Sequence, residues 1–265
     1  MPTGGCELHV ERRGAGETLL LVQGLGANAA HWGEPFLREL ERDFEVVTYD
    51  HRGIGRSAAL TGDVTTAGLA GDALALLDAL GIERAHVFGF SMGGMVAQEL
   101  ALAAPQRLRT LTLAATSAGG TQSKATSDDV VRTLTTAILS GDRRRVLEVG
   151  YRFVVSRAYA ADRGNYAVFE AVAREHPATV KMLMEQQSAV IAHDSYGRLR
   201  SLRVPTLVVH GGEDQMLDAV NGDLLASLIP GARLELLEGV GHLLFWERPE
   251  HVARLVREHA LADVG

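Results

Sequence analysis

The chain alternates between short apolar runs and segments in which apolar residues recur at helical spacing. Uninterrupted apolar runs predict strands that are buried on both faces of a sheet. Strands that alternate with helices predict an α/β fold, in which a mostly parallel sheet is covered by helices on both faces. The predicted strands are 18–22, 44–49, 84–90, 108–115, 204–210 and 233–237. The predicted helices between and after them begin near residues 35, 65, 92, 219 and 249.

The N-terminal part adds one more predicted strand before this alternation. Residues 7–13 and 17–23 are separated only by Gly14, Ala15 and Gly16, a spacing typical of a β-hairpin. We therefore expect these two strands to pair with each other.

The alternation stops at about residue 117. From there to about residue 200 the sequence has polar-spaced helical segments and no convincing buried strand; the expected helices are 128–140, 143–155, 165–175 and 179–192. A helical insertion between two strands predicts two parts. Residues 1–116 and 201–265 would form an α/β core, and residues 117–200 a helical cap, or lid. Aromatic residues of the cap would cover a pocket or simply pack on the core.

Composition narrows the possible partners. A chain of 265 residues is long enough for one domain with a sizeable core, and 46% hydrophobic with 22% charged residues is ordinary for a globular protein. The net charge of −7 leaves no cationic excess, so we expect neither nucleic acid nor a membrane as a partner. No secretory signal or membrane-spanning segment is evident, so we expect a cytoplasmic protein. The single cysteine, Cys6, cannot form an internal disulfide.

Residues 87–97 combine an apolar strand, a turn of small residues and a helix-forming segment, with Ser91 at the centre of the turn. A serine that projects above a sheet needs a tight turn, in which the residues two before and two after it crowd each other. Gly89 and Gly93 meet that demand. The N-terminus of the following helix favours negative charge beside the serine. The pattern predicts a nucleophile; the alternative is a glycine-rich turn that only permits close packing.

A nucleophilic serine needs a base within hydrogen-bond reach and a carboxylate that orients the base. Of ten histidines, only His242 lies in a glycine-flanked loop just after a late predicted strand, and Asp214 occupies the matching place after the preceding strand. Asp218 and Asp194 are alternative acids with poorer placement. His210 lies inside a predicted strand, where we expect a buried core histidine.

The order Ser91, Asp214, His242, together with its flanking motifs, resembles the α/β-hydrolase superfamily over essentially the full chain. The matching segments are 49–57, 89–93, 205–214, Gly-His at 241–242 and Glu-Arg-Pro at 247–249. Segments 84–98 and 104–108 are also similar to small bacterial esterases and the enol-lactonases of aromatic catabolism. The resemblance implies that Ser91 attacks a carbonyl carbon, His242 takes the serine proton and Asp214 orients the imidazole. An acyl-enzyme would form, and water would release it.

The resemblance also implies an oxyanion hole built from the backbone N–H groups of Met92 and Leu25. The family commonly has His-Gly where this chain has Gln23-Gly24. How the loop that carries Leu25 is held is therefore open at this point.

Two other classes of protein compete with the hydrolase interpretation. Residues 24–29 match G-x-G-x-x-A after a predicted strand, and Asp50 ends the next strand, as in a dinucleotide-binding domain. The predicted hairpin, the long loop to the next helix and the unexplained Ser91, Asp214 and His242 argue against it. A non-catalytic ligand receptor on the same fold is the second alternative, and an intact Ser-His-Asp set argues against that.

Within the hydrolase fold, more than one reaction type is compatible with these motifs. C–C bond hydrolases and cofactor-free peroxidases use related turns, because the fold fixes the triad while the cap and loops select the substrate. We expect hydrolysis of a carboxylic ester or lactone of a small molecule, with neither a cofactor nor a metal. The acyl group, the alcohol group and the oligomeric state are not encoded in these patterns.

Overall fold

The computed structural model describes residues 2–3, 6–58 and 63–262; the side chains of residues 2, 3 and 6 lie outside the description, and with them the thiol of Cys6. The strands are β1 (Pro2–Thr3), β2 (Cys6–Glu7), β3 (Val10–Gly14), β4 (Glu17–Val22), β5 (Phe44–Tyr49), β6 (Ala85–Phe90), β7 (Leu108–Ala114), β8 (Thr206–Gly211) and β9 (Arg233–Leu237). The helices are α1 (Glu34–Leu40), α2 (Thr66–Ala79), α3 (Met92–Ala103), α4 (Asp128–Leu139), α5 (Arg143–Val154), α6 (Arg157–Ala160), α7 (Arg163–Arg174), α8 (Val180–Ala192), α9 (Val220–Leu228), α10 (Leu244–Glu247) and α11 (Pro249–Ala260).

The central sheet has seven strands in the order β3-β5-β4-β6-β7-β8-β9. Only β3 runs antiparallel to its neighbour, and the pairs from β5 to β9 are parallel. All six residues of β6 and of β8 are buried, as expected for strands covered on both faces. The predicted α/β fold with a mostly parallel sheet is confirmed.

The predicted hairpin between 7–13 and 17–23 is wrong. Strand β3 pairs with β5, and β5 lies between β3 and β4 in the sheet. Gly14 and Gly16 have φ of +76° and +121°, and a Cβ at either one would collide with a backbone carbonyl oxygen of the segment that enters β5. The short glycine connection therefore crosses over the start of β5 instead of closing a two-stranded turn.

Alternate residues of a buried strand supply the two halves of the core. In β4, Leu20 and Val22 pack on one face of the sheet together with α2, α3 and α9. Leu19 and Leu21 pack on the other face, which α1, α10 and α11 cover. That second face holds an aromatic cluster centred on the fully buried Trp32, whose other members are Phe36, Phe88, Phe90 and Phe245.

Five helices, α4 to α8, lie between β7 and β8 in the chain. Four of them match the predicted segments to within two residues at each end, while α6 and α10 were not predicted. Large apolar side chains stay exposed on three of these helices: Val131, Ile138, Leu139, Val168, Val180, Met184 and Ile191. None of the helices in the described ranges has both the length and the apolar character needed to cross a membrane.

Candidate active site

Ser91 lies in the connection between β6 and α3, with φ +54° and ψ −120°. This region of φ is unfavourable for a residue with a side chain, and it is held here by close backbone packing. A Cβ at Gly89 would lie 2.5 Å from the carbonyl oxygen of Gly93. A Cβ at Gly93 would overlap the carbonyl oxygen of Val22. The N–H of Met92 is among the first of α3, which have no intrahelical acceptor.

Ser91, His242 and Asp214 form a continuous hydrogen-bonded series. The Ser91 Oγ is 3.0 Å from His242 Nε2, and His242 Nδ1 is 2.6 Å from Asp214 Oδ2. Because an ionised carboxylate only accepts hydrogen bonds, the imidazole proton belongs on Nδ1, which leaves Nε2 to accept from the serine hydroxyl. The ring of Phe90 packs against that of His242, with centroids 4.9 Å apart. His242 and Asp214 are 5% and 8% exposed.

The Asp214 carboxylate is bound on every side. Its Oδ1 accepts from the N–H groups of Met216 and Leu217 at 2.8 and 2.9 Å, and its Oδ2 also lies 3.3 Å from His210 Nε2. Burial alone would raise the pKa of this carboxyl. The contacts of the carboxylate with His242 and His210 outweigh that effect, so the pKa is well below its usual range. Asp214 is therefore ionised at neutral pH.

The loops that carry Asp214 and His242 pack directly against each other at the carboxyl ends of β8 and β9. A Cβ at Gly211 would lie 2.5 Å from the carbonyl oxygen of Val240. The N–H of Glu213 donates to the same carbonyl at 2.8 Å. A glycine at the end of β8 thus lets the two loops approach closely enough for the carboxylate to reach the imidazole.

Glu247 joins the histidine loop to the helical segment. Its buried carboxylate accepts from the N–H of Gly241 at 2.9 Å, and from the N–H and hydroxyl of Ser156 at 2.8 and 2.5 Å. Ser156 precedes α6, so one side chain holds both the residue next to His242 and the backbone between α5 and α6. The sequence motif at 247–249 drew attention to Glu247 but gave no sign of this contact.

The loop that carries Leu25 lies against the nucleophile turn. A Cβ at Gly24 would be 3.2 Å from the Ser91 Cβ. The Gln23 Oε1 accepts from the N–H of Gly24 at 2.8 Å, and the Gln23 carbonyl accepts from His51 Nε2 at 2.9 Å. These contacts show how the loop is held where the family commonly has histidine. The N–H of Leu25 has no acceptor among the described residues.

The alternative acids lie away from the series. Asp218 is exposed and accepts from the N–H of Val220 at 3.0 Å, at the start of α9. Asp194 is also exposed and accepts from the N–H of Tyr196 at 3.1 Å. His242 contacts neither of them within the described part of the chain.

The residues that suggested a dinucleotide site have structural contacts within the protein. The buried Asp50 accepts from the N–H of Ala29 at 2.7 Å and from that of Arg56 at 2.8 Å, so both carboxylate oxygens hold loops together. Helix α1 begins only at Glu34, after a 3-10 turn at Ala29–Trp32. Within the described ranges, His, Cys, Asp and Glu form no group of three or more that is suited to a metal ion.

Sequence reasoning missed two side chains next to the site. His210 is fully buried, as expected of a core histidine, but it also lies beside Asp214, four residues further along the chain. Gln186 lies on α8 and reaches the loop of Leu25, with its Oε1 2.7 Å from the N–H of Gly26. No motif surrounds Gln186, so the sequence offered no signal for this contact.

Comparison with known proteins agrees with this arrangement. The profile of the α/β-hydrolase fold family matches residues 17–249. The chain belongs to the α/β-hydrolase fold family. The resemblance inferred from the motifs is thereby confirmed, and the hydrolase class with it.

Three α/β-hydrolase relatives illustrate the range of similarity. A protein of Azorhizobium caulinodans, named as a carbamate hydrolase, RutD, is 32% identical over 256 residues, covering 90% of this chain and 89% of the relative. A hydrolase of Pseudomonas aeruginosa superposes with a TM-score of 0.83 at 32% identity, covering 97% and 96% of the two chains. The enol-lactonase of Burkholderia xenovorans superposes with a TM-score of 0.82 at 26% identity, covering 97% of each chain.

Proposed function

We propose that this protein is a serine hydrolase that cleaves a carboxylic ester or lactone of a small molecule. The observation that carries the proposal is that the half-buried Ser91, which has a positive φ, is linked to the buried His242 and Asp214 by hydrogen bonds of 3.0 and 2.6 Å. Ser91 is the nucleophile, His242 the base and Asp214 the acid that orients it.

The reaction follows from these positions. The Ser91 Oγ attacks the carbonyl carbon while His242 Nε2 takes its proton, and Asp214 stabilises the imidazolium. The tetrahedral intermediate collapses as His242 returns the proton to the leaving alcohol, which gives an acyl-enzyme. Water, activated by the same imidazole, then releases the acid. The N–H groups of Leu25 and Met92 stabilise the oxyanion, and one such donor contributes on the order of 3 kcal/mol.

The helices between β7 and β8 act as a cap over this site, so that residues 1–116 and 201–265 form the core and 117–200 the cap. Support comes from contacts of the inserted segment on two sides of the nucleophile. Gln186 bonds the loop of Leu25, and Ser156 shares Glu247 with the loop of His242. In this arrangement the cap helices select the substrate that reaches Ser91.

Similarity to an enol-lactonase supports lactones among the substrates. The relative named as a carbamate hydrolase supports a carbamate as the second candidate. A carbamate would pass through the same tetrahedral intermediate, but its nitrogen donates electrons to the carbonyl carbon, so release of the carbamoyl-enzyme by water would be slower. The C–C bond hydrolases and cofactor-free peroxidases of this fold stay as further alternatives.

The test is a panel of p-nitrophenyl acetate and butyrate, simple lactones and a p-nitrophenyl carbamate, assayed with wild type and Ser91→Ala. We expect ester or lactone turnover that Ser91→Ala abolishes, and covalent labelling of wild type by a fluorophosphonate. Turnover of the carbamate alone would favour the second candidate. If wild type turns over no member of the panel and is not labelled by the fluorophosphonate, the hydrolase assignment of Ser91 is overturned.

A further inference from the structure

Helix α8 of the insertion makes a direct hydrogen bond to the backbone beside Leu25. The Gln186 side chain is fully buried, and its Oε1 accepts from the N–H of Gly26 at 2.7 Å. Gly26 has φ +72°, and a Cβ there would lie 2.5 Å from Leu183 Cδ2, on the same helix. Glycine at this position therefore serves two purposes: it allows the left-handed backbone, and it lets α8 approach the loop.

Two glutamine side chains hold the loop on either side of Leu25. Gln23 Oε1 accepts a hydrogen bond from the N–H of Gly24, and Gln186 Oε1 accepts one from the N–H of Gly26. These bonds hold the peptide planes immediately before and after the plane that contains the Leu25 N–H. That plane lies between the Cα atoms of Gly24 and Leu25, and among the described residues its own carbonyl, that of Gly24, accepts only a 3.4 Å bond from the N–H of Ala27. Because glycine has no side chain to restrict ψ, the direction of the plane depends on the bonds that hold its two neighbours.

The far end of the same loop is also tied to the insertion. The Asn28 Nδ2 donates to the carbonyl of Glu175 at 3.0 Å and lies 3.4 Å from that of His176, between α7 and α8. The loop is thus bonded to the insertion at two points, of which Gln186 is the closer to Leu25.

We propose that Gln186 is a positioning residue that holds the Leu25 N–H in the direction of the oxyanion, so that the cap completes the oxyanion hole. The inference rests on the proposed function, in which Leu25 is one of the two oxyanion donors. An N–H group lowers the barrier when it already points at the developing charge and needs no reorientation during the reaction. Any movement that lifts α8 from the loop would release the plane of Leu25 and weaken that donor.

The test substitution is Gln186→Met, which keeps the length and approximate volume of the side chain but removes the acceptor. The Gln186 Nε2 has no partner among the described residues, so the substitution abandons no second hydrogen bond. The matched control is Gln187→Met, the same change one position along α8, where the side chain is exposed. Gln186→Asn is a second variant, because it keeps the amide and shortens its reach by one methylene.

Both Gln186 variants should lower kcat on p-nitrophenyl butyrate about 10- to 100-fold with KM changed less than about 3-fold, since the lost interaction belongs to the transition state. Fluorophosphonate labelling should slow by a similar factor, because it also builds charge on an oxygen at this position. Gln187→Met should match wild type in both assays. The midpoint of thermal unfolding serves as the readout for a merely structural role.

Three results would overturn the inference: kcat within about 2-fold of wild type in both Gln186 variants, a rise in KM alone, or a lower unfolding midpoint with unchanged kcat. Ser91→Ala separates this failure from that of the proposed function. If Ser91→Ala abolishes turnover while the Gln186 variants stay active, only the role of Gln186 is wrong. If Ser91→Ala keeps the activity, the proposed function itself is wrong.

Discussion

The two sides of the candidate oxyanion hole are held in different ways. On the Met92 side, the Ser91 turn is fixed by backbone packing within the sheet, where the Ser91 N–H donates to the Ala114 carbonyl at 3.0 Å. On the Leu25 side, the loop is fixed by side-chain amides, one of them from α8. Side-chain atoms added at the glycines of the Ser91 turn would therefore collide with backbone atoms. The Leu25 side depends instead on hydrogen-bonding groups, one of which moves with α8.

The two sides also differ in which parts of the chain surround them. The nucleophile turn has neighbours in β4, β7 and α3, which belong to the buried centre of the molecule. The loop of Leu25 and the loop of His242 each have a partner in the segment between β7 and β8. Changes in that segment should alter the second side first and leave the turn of Ser91 intact.

The largest effect should come from Gly93→Ala. The added Cβ would overlap the carbonyl oxygens of Val22 and Gln23, which are backbone atoms of the central sheet and cannot rotate away. We expect a loss of stability of about 3 kcal/mol or more, together with loss of activity. Gly71→Ala in α2 is the control, because no atom lies within 4 Å of its added Cβ, and it should stabilise by about 0.5–1 kcal/mol. Urea unfolding measures both, and equal stability of the two variants would contradict the packing argument.

Next in size is Asp214→Asn. The amide can no longer fix the proton on His242 Nδ1 or stabilise the imidazolium, and by analogy with other triads kcat should fall about 10⁴-fold. Asp218→Asn, four residues away and exposed, should keep wild-type kcat. The measurement is steady-state ester hydrolysis. Retained activity in Asp214→Asn, or a loss in Asp218→Asn, would mean that the acid is misassigned.

Glu247→Ala tests the contact between the histidine loop and the insertion. It leaves the buried N–H groups of Gly241 and Ser156 without their acceptor, so stability should fall by about 2 kcal/mol, with a lower kcat as His242 loses its support. Glu247→Gln retains an acceptor oxygen and should recover most of both. Should alanine prove as active and stable as wild type, the loop is held by other contacts.

A pH-dependent effect also falls on the second side. Burial lowers the pKa of His31 and of His193 to about 4. In the unfolded chain these imidazoles titrate near pH 6.5, so below that pH the unfolded state binds more protons, and stability falls as pH decreases towards 4. At pH 5 each histidine should cost about 2 kcal/mol relative to pH 8.

One histidine lies beside the loop of Leu25 and the other in the segment between β7 and β8: His31 bonds Asn28 of the loop, and His193 follows α8 and contacts Thr66. Hydrogen exchange at pH 5 should therefore increase in peptides covering 24–32 and 180–195 more than in those covering 85–100. His31→Gln should reduce the pH dependence of urea unfolding. Uniform acceleration across the chain would contradict a localised effect.

The two sides also differ in how well the sequence predicts them. The Ser91 turn is predictable because its requirements are local: two glycines at fixed spacing, a preceding apolar strand and a following helix. Asp214 and His242 were predicted because each follows a strand, and the carboxyl ends of parallel strands meet at one edge of the sheet. The elements themselves followed from apolar periodicity to within a few residues.

What the sequence could not predict depends on contacts between distant segments. Gln186 is 160 positions from Gly26, and a single polar residue on an otherwise ordinary helix carries no pattern. The hairpin prediction failed for a related reason, since the spacing around Gly14 and Gly16 does not reveal that β5 will lie between β3 and β4. In both cases the deciding partner comes from elsewhere in the chain.

The central claim, that Ser91 forms an acyl-enzyme, is tested most directly by the mass of the protein during turnover. Wild type would be mixed with p-nitrophenyl butyrate, quenched in acid within milliseconds and digested for mass spectrometry. The account predicts a gain equal to one butyryl group on the peptide that contains Ser91, present in wild type and absent in Ser91→Ala. Steady turnover without a modified serine, or with the butyryl group on another residue, would contradict it.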